Sequence, residues 1–453
     1  MWNHPYHRIT FGDDVITDLF TAPVHSWDAL ICTSKAVLDT VHYLLDSQKK
    51  YLHERLGATK FELPQLPVIP LGVHCSDFEF SESERSSARH GFGVDDAEIV
   101  ILFVGRLSFH AKAHPQQMLT ALERVTHGRK IRLLQCGWYP NDAIETAFRN
   151  AAALLCPSVI LHDVDGRIPD DRRRAWASAD IFMSLSDNIQ ERFGLTPIEA
   201  MAAGLPVIVS DWDGYKDTIR HGIDGFRIAT LTPPSPLGSD LANRYELGID
   251  NYDVYCGLTS QLTALNSDAL TQACEQLILN PALRLQMGKS GRRRAMNDYD
   301  WAVIYRRYQE LWAELEERRR LEPNINAPFP ARRRPDRPDP FAAFAGYPSS
   351  QISDSHIVRL SSDTTKLRQR RSLSLNSFAT RVQLPDDECE MIFKLLQTHG
   401  PQSVHQLAEE FESQRCQSAS NIYHLSASKF FHFISLHRTI FAVLKSVRIV
   451  PGF

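Results

Sequence analysis

Residues 191–214 read ERFGLTPIEAMAAGLPVIVSDWDG, and the rest of the chain is organised around them. Two carboxylates, Glu191 and Glu199, are separated by seven residues. A helix start follows at Thr196-Pro197, then a helix stop at Gly204, and then a strand-like run from Val207 to Ser210. Thr196 is a good N-cap, Pro197 suits the first helical position, where its missing N–H is not needed, and Glu199 closes a capping box. That gives Glu199 a structural role. Glu191 lies ahead of the cap, in a loop with Gly194, and has no such role. A loop that runs into a helix N-terminus presents free backbone N–H groups and the positive end of the helix dipole, which suits a phosphate or a polarised hydroxyl.

Working outward, three more segments stand with it: FVGRL at Phe103 to Leu107, ADIFMSLS at Ala179 to Ser186, and DGYKDTIRHGIDGF at Asp213 to Phe226. Taken in this order, the four segments resemble the retaining glycosyltransferases of family 4. That resemblance implies a GT-B fold of two Rossmann-like domains, and it extends from about Val100 to Leu315. A carboxylate pair at this spacing is weak evidence alone, and the ordered set is much stronger.

Composition sets the outer bounds. The chain has 453 residues, 43% hydrophobic and 23% charged, which is ordinary for a globular protein of two or three domains. A net charge of −4 gives no electrostatic reason to expect nucleic acid or an anionic membrane as the main partner. The eight cysteines, from Cys32 to Cys416, are scattered with no CxxC and no Cys/His cluster, so neither zinc nor a disulfide framework is suggested. No leader-like apolar run opens the chain and no stretch approaches the length of a membrane span. The expected location is the cytoplasm.

From Ile99 onward, apolar runs at Ile99 to Val104, Ile131 to Gln135, Val159 to Leu161, Ile181 to Leu185 and Val207 to Val209 alternate with helical patterns. This is the mark of an α/β domain with a parallel sheet covered on both faces, whose ligands bind at the carboxyl ends of the strands. Residues 1–90 look incomplete beside it. They offer a short strand at Ala29 to Ser34, a helix from Lys35 to Leu56 and a strand around Pro67 to Val73, too little to bury both faces of a parallel sheet. The readings are a truncated gene product, a misplaced start codon, or a natural split enzyme whose apolar surface a protein partner covers.

Thr230 to Thr259, with Pro233, Pro234, Pro236 and Gly238, reads as a long loop or insertion. Helical patterns follow at Ser267 to Arg294 and Tyr299 to Leu315, and the resemblance implies that the last helix crosses back onto the N-terminal domain. Residues 321–383, rich in Pro, Arg, Ser and Asp, read as a disordered linker. Residues 384–453 read as a small, mostly helical module, with helices at Pro385 to Thr398 and Ser403 to Phe411. It is either winged-helix-like or a docking appendix, and its basic residues do not form a recognition helix.

Arg106 and Lys112 follow Gly105 at the end of the first strand, where two positive charges can hold a diphosphate. By the resemblance, Glu191 sits beside the donor sugar, and the N–H groups of Phe193, Gly194 and Leu195 reach its hydroxyls or the phosphate. Glu199 takes both ribose hydroxyls. The spacing from Arg106 to Lys112 is one residue longer than the family's, with Phe109 and His110 in the loop. Asp213, Gly214 and Asp217 line the donor pocket or make the turn, and His4 and His7 are the early candidates for the family's N-terminal histidine. The expected reaction is transfer of a sugar from a nucleotide-diphosphate donor to a glycan, lipid-linked or small-molecule hydroxyl with retention, using neither metal nor cofactor. The alternative is a non-catalytic scaffold or regulatory subunit of the same fold.

Overall fold

The computed structural model describes residues 20, 24–191, 193–322, 339–360, 385–418 and 447–450, and divides the chain into two compact units at residues 334 and 335. The expected division near residue 90 is not one between compact units. His4 and His7 lie outside the described residues.

The first unit is built on a six-stranded, all-parallel sheet of order β3-β2-β1-β4-β5-β6. Its strands are β1 (Ile99–Val104), β2 (Ile131–Gly137), β3 (Ile160–Asp165), β4 (Ile181–Ser184), β5 (Val207–Ser210) and β6 (Gly225–Ile228). The period of two divides each central strand between two cores. Val100, Leu102, Leu134, Phe182, Val207 and Val209 face one, while Ile101, Ile131, Leu133, Ile181, Met183 and Ile208 face the other. Helices α5 (Pro169–Ser178) and α6 (Leu195–Ala202) cover the first face; α3 (Gln116–Val125) and α10 (Ser267–Leu279) cover the second. The chain runs outward from β1 through β2 to β3 and then returns to β4 on the opposite side. The switch point, and hence the crevice at the carboxyl edge, therefore lies between β1 and β4. The loops carrying Lys112 and Glu191 follow those two strands.

Ahead of the sheet, α1 (Lys35–Leu56) starts at the Ser34 cap, whose hydroxyl accepts the Val37 N–H, and ends at Gly57 in the left-handed region. The segments on either side of α1 pair in parallel through Leu30 N–H to Gln65 O and Cys32 N–H to Pro67 O. After α11 (Pro281–Arg294), helix α12 (Trp301–Leu321) returns to this ribbon and packs Ile304 and Leu311 on Ile69, with Ala29 and Ile31 alongside. Tyr43, Tyr51 and Leu56 of α1 remain exposed.

The insertion read as a loop contains two helices, α8 (Ser239–Glu246) and α9 (Tyr252–Gln261), framed by the antiparallel pair β7 (Thr230–Leu231) and β8 (Ala264–Leu265). Its prolines are confined to residues 233–236, ahead of α8, and the Asn251 side chain caps α9 by accepting the Val254 N–H.

The second unit corrects one expectation. Residues 357–360 of the supposed disordered linker form β9 (Ile357–Leu360), the central strand of a three-stranded antiparallel sheet with β10 (Gln402–Ser403) and β11 (Val447–Val450). The described part of the module is mostly helical, as expected, with this small sheet added to its helices. Val358 of β9 is buried against Ile392, Leu396, Leu407 and Phe411 of α14 (Asp386–His399) and α15 (Val404–Ser418). A short apolar strand set in polar sequence takes its stability from that contact, so composition alone does not reveal it.

Candidate functional site

Strand β1 ends at Gly105, with φ +153° and its N–H bonded to Cys136 O. A Cβ on Gly137 would lie 1.9 Å from Gly105 O, so the ends of β1 and β2 pack backbone on backbone. Arg106 follows, and among the described residues its guanidinium has no ion-pair or hydrogen-bond partner. The loop then turns at Lys112, whose N–H bonds Ser108 O. Phe109 takes up the longer spacing by packing against Phe148, His110 and His114. Lys112 Nζ reaches Glu191 Oε2 at 3.6 Å, so the structure brings these two predicted residues together across the switch point.

On the other side of the crevice the Phe193-Gly194 peptide is wedged in place. A Cβ on Gly214 would meet Phe193 Cα at 2.6 Å, and one on Gly194 would meet the Tyr215 ring at 2.0 Å. Tyr215 is fully buried, hydrogen-bonds Ser184 through its hydroxyl, and is raised well above the usual phenol range by that burial. Gly194 has φ +76° and is itself the N-cap of α6, without any side-chain capping bond. The expected capping box therefore does not form. The left-handed glycine starts the helix ahead of Thr196.

Two consequences follow from this start. The backbone N–H groups of Phe193, Gly194 and Leu195 have no acceptor among the described residues, as expected at an uncapped helix start. Glu199 is released from structural work. Its half-buried carboxyl has no hydrogen-bond partner among the described residues, and burial raises its pKa while the charge of Arg172 on α5 opposes the rise. Arg172 lies in the first turn of α5, which follows β3, and Glu199 lies on α6, which follows β4, so both stand on helices that begin on the carboxyl side of the sheet.

Asp213 and Asp217 belong elsewhere. Asp213 Oδ1 accepts the Ser34 hydroxyl at 3.1 Å and Asp217 Oδ2 accepts the Lys35 N–H at 2.6 Å, so these carboxylates dock the start of α1. The sequence reading missed the turn after β4. Asp187 is buried with Oδ1 unpartnered, and Asn188 is fully buried and hydrogen-bonded on several sides. The polar run SDNIQ marks a turn, but nothing in it distinguishes a buried turn from a solvated one. Among the described residues no group of three His, Cys, Asp or Glu side chains is placed to hold a metal. No helix there is long and apolar enough to cross a membrane.

Chemically, the crevice offers two cations and three free N–H groups for a diphosphate, together with an unpaired carboxylate for hydroxyl groups. Among solved structures, a glycosyltransferase of Rickettsia africae is 17% identical with a TM-score of 0.46, covering 70% of this chain and 69% of that one. Among curated proteins, the uncharacterized glycosyltransferase MJ1607 of Methanocaldococcus jannaschii is 30% identical over 186 residues, 39% of this chain and 44% of the relative. The D-inositol 3-phosphate glycosyltransferase of Corynebacterium efficiens is 29% identical over 209 residues, 43% of this chain and 48% of the relative. The match thus spans less than half the length of each of these two relatives. Residues 98–242 match the family described as glycosyl transferases group 1.

Proposed function

We propose that this chain binds a nucleotide-diphosphate sugar and transfers the sugar to an acceptor hydroxyl with retention of configuration. One observation carries the reading: Glu199, half-buried and without a protein partner, lies beside a helix start whose first N–H groups are unpaired. A carboxylate in that position accepts two vicinal ribose hydroxyls, which supply the hydrogen bonds its burial has removed. The N–H groups of Phe193, Gly194 and Leu195, with Arg106 and Lys112, take the diphosphate.

In the transfer step the bond from the anomeric carbon to the phosphate oxygen breaks and charge accumulates on the diphosphate. The acceptor oxygen bonds to the same face of the anomeric carbon, and the acceptor proton passes to the departing phosphate. Stabilising that phosphate with preorganised cations and N–H dipoles is the main catalytic task. Glu191, within 3.6 Å of Lys112, orients the ammonium and meets the donor sugar. The acceptor is a glycan, a lipid-linked sugar or a small polyol; the phosphorylated inositol in the names of several relatives makes a polyol phosphate the first to test. We place the reaction in the cytoplasm, consistent with seven buried cysteines, none in a disulfide, among the described residues.

The experiment is a thermal shift of the chain with UDP, GDP and ADP sugars, repeated with Glu199→Ala and Arg106→Ala. Ligand at about 100 times its dissociation constant stabilises the folded state by about 2.7 kcal/mol. A shift with one base that Glu199→Ala abolishes supports the reading. A folded protein that shifts with none of them overturns it and leaves a scaffold.

A further inference from the structure

Three loops meet at the carboxyl edge, after β1, β4 and β5, and one residue ties them together through its side chain and its backbone carbonyl. Asn188 is fully buried. Its Nδ2 donates to His110 O at 2.8 Å, in the loop that carries Lys112. Its Oδ1 accepts the Gln190 N–H at 2.9 Å, and its carbonyl accepts the Glu191 N–H at 3.1 Å, within the turn that carries Glu191. The same carbonyl accepts the Trp212 indole N–H at 3.1 Å, from the loop after β5. His110 is also backed from the other side, since a Cβ on Gly257 of α9 would come within 3.0 Å of the His110 Cβ. The loop that carries Lys112 is thus held by two contacts at His110, two residues before the lysine.

We propose that Asn188 is a positioning residue: by holding His110 and Glu191 on one side chain and its own backbone, it fixes where the Lys112 ammonium meets the donor diphosphate. This rests on the nucleotide-sugar reading above, and it assigns to a buried amide the placement of a charge that touches substrate. Leucine or alanine at 188 would still allow a turn after β4 but would leave His110 O without its donor. Trp212 acts on the same anchor from a third loop, so Trp212→Phe removes one hydrogen bond to Asn188 while keeping an aromatic ring in place.

The test is calorimetric titration of the full chain with UDP, GDP and ADP, each compared with its monophosphate. Variants are Asn188→Ala, Lys112→Ala, the double variant, and Trp212→Phe alone and with Lys112→Ala. Loss of one hydrogen bond corresponds to about a five- to tenfold weakening. The expected result is that Asn188→Ala weakens the diphosphate by about that factor, leaves the monophosphate nearly unchanged, and adds nothing to Lys112→Ala. Trp212→Phe should follow the same pattern more mildly and carries the test if Asn188→Ala does not fold. Equal weakening of monophosphate and diphosphate, or losses that add to those of Lys112→Ala, would mean a general structural role and overturn the inference while leaving nucleotide binding intact. Failure of the wild-type chain to bind any of the three diphosphates overturns the nucleotide reading and this inference with it.

Discussion

Asp187→Asn is expected to reverse part of the pH dependence of stability. Asp187 is buried at the end of the turn after β4, with Oδ1 unpartnered. Burial pushes its carboxyl from the ordinary 3.8 up to about 7, against a smaller opposing pull from the backbone N–H groups of His114 and of Asp187 itself. Between those two values the folded protein keeps a proton that the unfolded chain has released, so stability is lost as the pH rises through the window. The interval from 3.8 to about 7, at about 1.4 kcal/mol per pH unit, amounts to a loss of about 4 kcal/mol, complete above pH 7. Asparagine has no proton to lose and keeps a carbonyl oxygen for the His114 N–H. Urea unfolding of both proteins from about pH 5 to 8 should show the variant gaining on the wild type by about 3 kcal/mol across that range. Other carboxylates contribute equally to both curves and cancel in the difference. A difference that stays constant with pH would mean that Asp187 ionises as a solvated carboxylate, and the burial argument would fall.

Other perturbations probe separate parts of the frame. Glu98 and Arg132 form a buried pair, Oε2 to Nε 2.7 Å, at the amino edge of β1 and β2. Glu98→Ala, which leaves Arg132 buried and uncompensated, should cost about 3–5 kcal/mol in urea unfolding, whereas an apolar pair at both positions should recover most of it. Gly214→Ala drives a Cβ into the Phe193 backbone and should abolish nucleotide-dependent thermal stabilisation; Gly204→Ala, with open space around it but φ +75°, should lower the melting temperature while sparing binding. In the second unit, Phe411→Ala removes a ring from the core shared by Val358 and Ile392, with an expected cost of about 3–5 kcal/mol, read by near-ultraviolet circular dichroism of the folded chain.

The sheet was the most legible part of the chain because its central strands are buried on both faces, and such strands read as continuous apolar runs. Five of the six strands fall where those runs are, and α1 matches its periodic pattern to the residue. The sixth, β6, is GFRI, four residues with one glycine and one arginine at the edge of the sheet, and no apolar run announces it. For the same reason β9 was lost in a polar segment. Among the site residues, the meeting of Lys112 and Glu191 could be expected from two loops at one switch point. The roles of Asp213 and Asp217 could not, because they depend on which segment packs against the loop after β5, and local sequence does not say that α1 begins there.

The capping box is the most instructive departure, because the residues were read correctly and the helix start was not. A Ser/Thr-x-x-Glu pattern competes with any better start nearby, and a glycine that the fold holds at φ +76° offers one. Gly194 is held there by Tyr215, whose ring leaves no room for a Cβ, and Tyr215 is held in turn by the buried Ser184 hydroxyl on β4. The start of α6 is thus set by tertiary packing at the end of the central strands rather than by its own capping residues. The same displacement frees Glu199 and leaves the first N–H groups of the helix unsatisfied. A local rule of helix formation is broken at the one place where its breaking leaves a carboxylate and three donors unpaired, and those groups are the ones a nucleotide-diphosphate sugar would use.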